Sequence, residues 1–286
     1  MTSAPKIADL HLHSTASDGR LRPSEIVELA KRKGFSCIAL SDHDSIDGIA
    51  EAISSGNKHN VEIVPAVELS TKYNGGEVHI LGYFIDWESA SLRSMLHQLM
   101  LFRENRGKTM VEKLQKLGLD ISWEEVQEQA GSKNVGRVHI ASALLAKGYI
   151  ADIGGAFTEE LIGNDGKAYV EKSEISPVEA ITLIKKYLGV SVLAHPGFYK
   201  KDAKLNETDV AFFQSQGLQG IEIFHTKHND EDTAFYQDIA GKYGLKITGG
   251  SDCHGGNTGE ILMGKVRLPY TYIQEMHALL ESNAAL

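Results

Sequence analysis

The chain has 286 residues, 42% hydrophobic, 23% charged and 7% aromatic, with a formal charge of -9. That length can bury a full core, as one large domain or one domain with an insert. The charge excludes attraction of a DNA duplex through bulk electrostatics, so an anionic substrate has to meet bound metal ions or a few placed Arg and Lys side chains. No apolar run reaches the roughly 18 residues of a membrane helix. Residues 1–6 lack a signal-peptide core. Two cysteines, Cys37 and Cys253, are too few for a disulfide framework, so a reducing, cytoplasmic setting with no membrane partner is expected.

The first third alternates strand-like and helix-like stretches. Residues 7–11 read as a strand, and 23–33 as a helix with Ile26, Val27, Leu29 and Ala30 on one face and Gly34 as its stop. A short buried strand follows at 37–40, a helix at 46–54, and strands at 61–67 and 78–84. The last is entered through the turn signal Asn74-Gly75-Gly76. From 92 to 163 the pattern is helical throughout, with Met95, Leu99, Phe102, Met110, Leu114 and Leu117 at helical spacing. This predicts a barrel domain from 1–91 and 168–286, and a helical insert from 92–167 covering its active site. The alternation then resumes. Ser176-Pro177-Val178-Glu179 is a capping box with proline at the first helical position, and strands are expected at 190–194, 220–224 and 245–248. Seven strands separated by helices predict a parallel, barrel-like α/β domain, in which chemistry sits at the C-terminal strand ends.

Each predicted strand ends in, or carries near its end, a side chain able to bind metal. They are His11 and His13, followed by Asp18; Asp42-His43-Asp44; Glu68; His79; His195; His225; and Asp252 with His254. Strand alternation puts His11 and His13 on one side, about 7 Å apart along the backbone. Gly249 and Gly250 would let the main chain pass close to a crowded site. Taken singly, any of these histidines is more simply a hydrogen-bonded core or surface residue. Their recurrence at seven strand ends is what points to metal. His59, His97 and His277 lie in polar or helical stretches and read as surface residues, and Cys253 reads as a packed thiol. Imidazole with carboxylate and almost no thiolate suits Zn, Mn or Fe and argues against a structural zinc finger. The number of candidates implies two or three ions and a bridging carboxylate.

The motifs Asp9-Leu10-His11-Leu12-His13, Ser41-Asp42-His43-Asp44, Glu68, His79, Ala194-His195-Pro196 and Gly250-Ser251-Asp252-Cys253-His254 resemble the PHP (polymerase and histidinol phosphatase) family, in its order and over nearly the whole chain. The helical insert and Asp18 resemble the branch of nucleoside-3',5'-bisphosphate phosphatases and 5'-3' exoribonucleases. The resemblance implies a distorted (β/α)7 barrel with a helical insert domain. It also implies a trinuclear site: one ion on His11, His13, Glu68 and Asp252, a second on Asp18, His43 and His254, and a third on Glu68, His79 and His195. Manganese is the first expectation, with Fe, Zn or Mg as alternatives. The expected activity is hydrolysis of a phosphoester in a small phosphorylated substrate, nucleotide or short RNA, without a covalent enzyme intermediate. Asp18, His43, Asp252, His254 and Arg137 are the expected catalytic set.

For substrate contacts, the resemblance points to Arg137 and His139 in Gly136-Arg137-Val138-His139; a guanidinium suits bidentate phosphate binding. The simpler alternative is a solvated Arg137 and a capping or packing His139. One of His225 and His228, flanking the sixth strand, is expected to hydrogen-bond substrate. Lys200, Lys201, Lys204 and Lys227 form a basic stretch that would suit a longer anion or simply be solvated. The competing functions are histidinol phosphatase, a metal-dependent amidohydrolase, and a non-catalytic metal- or nucleotide-binding module. Asp18 and the insert count against the first, Glu68 in place of a bridging lysine against the second, and the complete ligand set against the third.

Overall fold

A computed structural model describes residues 5–130, 135–170, 175–198, 204–256 and 259–284. The chain divides into two compact units, one formed by 1–93 and 174–286, the other by 94–173.

The first unit is built on one eight-stranded sheet: β1 (Ile7–Asp9), β2 (Cys37–Leu40), β3 (Glu62–Tyr73), β4 (Gly76–Tyr83), β5 (Val190–Leu193), β6 (Gly220–His225), β7 (Lys246–Gly250) and β8 (Leu268–Pro269). Its spatial order is β7-β6-β5-β4-β3-β2-β1-β8, so strands from β1 to β7 lie beside their sequence neighbours. The sheet curls into a nearly closed barrel. Across the seam the Leu10 N–H donates to Gly249 O at 3.1 Å and the Asp252 N–H to His11 O at 3.0 Å.

Two features depart from a seven-stranded parallel barrel. β4 runs antiparallel to both β3 and β5. The cause is local: Tyr73 pairs with Gly76, leaving a two-residue Asn74-Gly75 loop with φ of 48° and 79°. Positive φ at both central residues is the type I′ turn that joins antiparallel strands. The other is β8, two residues antiparallel to β1.

Alternation sorts the strand residues onto two faces. Cys37 and Ala39 join Ala8, Leu10, Val64, Ala66, Leu81, Tyr83, Val190 and Val192 in one buried cluster. Ile38 and Leu40 pack with Ile26, Val27 and Ala30 of α1 (Pro23–Arg32). Further helices are α2 (Ile49–His59), α6 (Pro177–Lys186), α7 (Glu207–Ser215), α8 (Asp230–Tyr243) and α9 (Thr271–Ala284). α6 starts where its capping box predicts: Ser176 Oγ accepts the Glu179 N–H at 3.2 Å and Glu179 Oε2 accepts the Ser176 N–H at 2.7 Å, a cap contributing about 1 kcal/mol.

The second unit takes most of α3 (Ala90–Lys116), then α4 (Trp123–Ala130), α5 (Arg137–Ala146) and a 3-10 turn, Ile153–Ala156. Met110, Leu114, Val126, Ile140, Leu144 and Ile162 form its core. Among the described residues no helix is long and apolar enough to cross a membrane. Cys37 and Cys253 are buried free thiols.

Candidate metal centre

Five imidazoles converge on one buried carboxylate. Glu68 Oε1 lies 2.8 Å from His79 Nδ1 and 3.0 Å from His195 Nε2. Its other oxygen, Oε2, lies 3.1 Å from His11 Nε2, 3.1 Å from His43 Nδ1 and 3.3 Å from His13 Nε2. Asp252 Oδ1 is 3.1 Å from His13 Nε2 and 3.5 Å from His254 Nδ1. Asp18 reaches His254 Nε2 at 3.3 Å and His43 Nε2 at 3.9 Å. His11, His13 and Glu68 are fully buried, whereas the side chains of Asp18, His254 and Asp252 are 26%, 23% and 22% exposed. The cluster therefore opens to solvent on the Asp18–Asp252 side.

Charge in this cluster is divided. Burial alone would raise Glu68, but His11, His43 and His79 hold it well below the usual carboxylate range. Asp18 and Asp252 are depressed in the same way, mainly by His43 and by His11 against the cost of burial. Burial opposes charge on His79 and His254, yet Glu68 and Asp18 respectively raise them to about 10. Burial wins at His43, which falls to about 4, and at His195, which is also lowered.

The donor set fits divalent ions. His11 Nε2, both His13 nitrogens and Glu68 Oε2 are buried without a hydrogen bond of good geometry. Acceptor lone pairs facing one another in a dry site are costly unless a cation lies between them. Four ligand atoms, from His13, Asp18, His43 and His254, lie within 4.8 Å of one another, as do three each from His11, His13 and Asp252, from His11, Glu68 and His195, and from His43, Glu68 and His79. Mixed imidazole and carboxylate donors suit Mn, Fe or Zn.

Local sequence explains how each ligand is held. Asp42 and Asp44 flank His43 but serve the backbone. Asp42 Oδ1 accepts the Ser14 N–H at 2.7 Å and the Ser17 hydroxyl at 2.6 Å, and Oδ2 accepts the Ser14 hydroxyl at 2.7 Å; this fixes the turn that carries Asp18. Asp44 Oδ1 accepts the Ser70 N–H at 3.0 Å. Asp9 Oδ1 accepts the Ser251 N–H at 2.8 Å, tying the His11 strand to the Asp252 loop. Gly250 is where these segments cross: a Cβ there would stand 2.2 Å from His11 Cβ. His195 and Asp252 hold φ of 28° and 53°, left-handed backbone that non-glycine residues adopt at some cost, as at many functional sites.

His225 joins the cluster edge, its Nε2 3.6 Å from Asp252 Oδ2. A bulge lies between Glu222 and Phe224; one extra residue changes the phase of the strand and brings both Glu222 and His225 toward the metal-site histidines. The Lys227 N–H donates to His225 Nδ1 at 3.2 Å, so neutral His225 carries its proton on Nε2 and is a donor there. His228 differs. Its Nδ1–H donates to Ile223 O at 2.7 Å and its Nε2 accepts the Gly197 N–H at 3.0 Å. Both of its nitrogens are engaged with the main chain.

In the second unit, His139 Nδ1 accepts the Gly136 N–H at 2.9 Å, a helix cap. Arg137 donates to Asn164 Oδ1 at 3.0 Å and lies over the rings of Phe157 and Tyr169, 5.6 and 5.8 Å from their centroids. Lys204 pairs with Asp232, Lys227 is exposed, and Lys200 and Lys201 lie outside the described residues. Glu222 is the buried residue that the sequence pattern alone does not single out. A signal was present: a lone carboxylate at the centre of the apolar strand Gly220-Ile221-Glu222-Ile223-Phe224.

The model of the PHP domain family matches residues 9–283. A 5'-3' exoribonuclease of Haemophilus influenzae is 31% identical over 246 residues, 86% of this chain and 89% of its own length. A 3',5'-nucleoside bisphosphate phosphatase of Chromobacterium violaceum is 31% identical over 248 residues, 86% of each chain. A solved Bifidobacterium adolescentis structure, designated a metal-dependent phosphoesterase, superimposes with a TM-score of 0.82 at 28% identity over 96% of both chains.

Proposed function

The chain belongs to the PHP domain family and is a metal-dependent phosphoesterase, and on that premise we propose that it releases phosphate from nucleoside 3',5'-bisphosphates in the cytoplasm, with short 5'-phosphorylated RNA as a second substrate. One observation carries the reading: the two oxygens of Glu68 separate His79 and His195 from His11, His13 and His43. That division suits a carboxylate bridging two ions. Three ions are proposed, on His11, His13, Glu68 and Asp252; on Asp18, His43 and His254; and on Glu68, His79 and His195, with manganese as the native metal. Bound there, divalent ions supply Lewis acidity and a water nucleophile near neutral pH.

The chain's own residues do the rest. Asp18 and His254 lie on the solvent-open side, and we assign them to orienting the attacking water. His225, whose Nε2 faces Asp252 Oδ2 at 3.6 Å, is the proposed substrate contact of the His225 and His228 pair. Arg137, lying over the rings of Phe157 and Tyr169, is proposed to present its guanidinium to a phosphate; His139 is proposed to offer Nε2 while Nδ1 keeps the helix cap.

The test is phosphate release by the metal-stripped chain after Mn is restored. Adenosine 3',5'-bisphosphate, a short 5'-phosphorylated RNA and histidinol phosphate are offered side by side, with His43→Ala as blank. Turnover of the first two that is lost in His43→Ala is expected. Preference for histidinol phosphate, or activity on none, would sink the nucleotide reading.

A further inference from the structure

We propose that Glu222 is a positioning residue of the metal centre: it holds His11 as an Nε2 ligand and couples that ligand to His195. Both Glu222 oxygens lie 3.1 Å from His11 Nδ1, the geometry of one N–H shared between two acceptors. Oε2 also accepts the His195 N–H at 3.0 Å. One carboxylate on β6 therefore grips a ligand at the start of the barrel and the backbone of a ligand after β5. All three side chains are buried, and the linkage is by direct hydrogen bonds.

The chemistry follows from the two ring nitrogens. With Nδ1 carrying the proton, the Nε2 lone pair is directed at Glu68 Oε2, 3.1 Å away, and Asp252 Oδ1, 3.7 Å away, where an ion would sit. A carboxylate behind a ligating imidazole fixes its tautomer and raises its basicity, and its loss weakens metal binding about 10–100-fold. Glu222, His11 and His225 could themselves surround an ion. However, that ion would need a bare His11 Nδ1 and a bare His225 Nε2, and the amide of Lys227 already occupies the Nδ1 lone pair of His225. Glu222 therefore acts behind the ligands.

Glu222→Gln is the informative variant. It keeps the shape, but one oxygen becomes an NH2 group, so a donor faces either the His11 N–H or the His195 N–H. The inference rests on the metal reading above, and the assay separates the two. Metal-stripped wild type and variant are titrated with Mn2+ by calorimetry, with circular dichroism and melting of the metal-stripped forms alongside. The expected result is wild-type secondary structure with Mn2+ affinity weaker by about 10–100-fold. Unchanged affinity and stoichiometry would overturn the role of Glu222 alone; a wild type that binds no metal would overturn the metal reading itself. If Glu222→Gln fails to fold, 15N-histidine NMR of Zn2+-loaded wild type decides. The proposal requires His11 to be protonated on Nδ1 and metal-bound through Nε2, and metal on Nδ1 would refute it.

Discussion

Adding one methyl group at Gly250 tests how closely the barrel seam must shut. The new Cβ would stand 2.2 Å from His11 Cβ and 2.4 Å from His11 N. Non-bonded carbons settle at about 3.5 Å or more, so the strands must part by about 1.3 Å. They cannot do so without stretching the 3.1 Å bond from Leu10 to Gly249 and the 3.0 Å bond from Asp252 to His11. Overpacking of this kind costs about 1–3 kcal/mol, which at about 2–4 °C per kcal/mol lowers the melting temperature by roughly 2–12 °C. The larger effect falls on function, because both segments carry metal-site residues. A displacement of about 1 Å at a reaction centre costs on the order of 100-fold. Gly250→Ala should therefore fold, melt lower, respond less to added Mn2+ in a thermal scan, and lose about two orders of magnitude in phosphate release. A variant that melts and turns over like wild type would refute the close-approach argument.

Three further outcomes are expected. His79 and His254, each raised to about 10, carry protons at neutral pH that a metal ligand cannot keep. Metal uptake should expel protons, and affinity should rise with pH toward that value; titrations in buffers of different ionisation enthalpy measure this, and zero proton release would contradict it. Asp42→Asn removes charge-assisted bonds to Ser14 and Ser17, so the metal-stripped protein should lose about 1.5–3 kcal/mol in urea unfolding. Gly241→Ala places a methyl group within α8 where nothing lies within 4 Å, and should stabilise by about 0.5–1 kcal/mol in the same assay; a loss would show an unseen constraint on that helix.

The parts of the site legible in sequence are those where polar ligands interrupt or end short apolar strands. Burying imidazole and carboxylate at such places is costly unless they hold an ion or one another. Glu68 was legible as chemistry but misplaced as architecture. It lies within the twelve-residue strand β3, which runs on into a hairpin instead of ending. The Asn74-Gly75 pair announced that hairpin. Counting strand and helix alternation hid its consequence, the antiparallel β4. Leu268-Pro269 is too short to show any period, and pairs with β1 only because the curled sheet delivers an edge there. His225 and His228 could not be separated by sequence. A bulge and three main-chain hydrogen bonds give them different surroundings, and none of these has a residue-type signature.

The seam between β1 and β7 also sets a timetable. His11 and His13 leave the ribosome about 240 residues ahead of Asp252 and His254, and the chain between them must be laid down strand by strand before they meet. Synthesis at about 5–20 residues per second separates the two halves of the centre by roughly 12–50 seconds. During that interval the two ion sites that draw on Asp252 and His254 are incomplete, whereas Glu68, His79 and His195 are already made. Loading of those two sites is thereby deferred until β7 is in place, and an ion on His11, His13, Glu68 and Asp252 would fasten the first strand to the segment that follows β7.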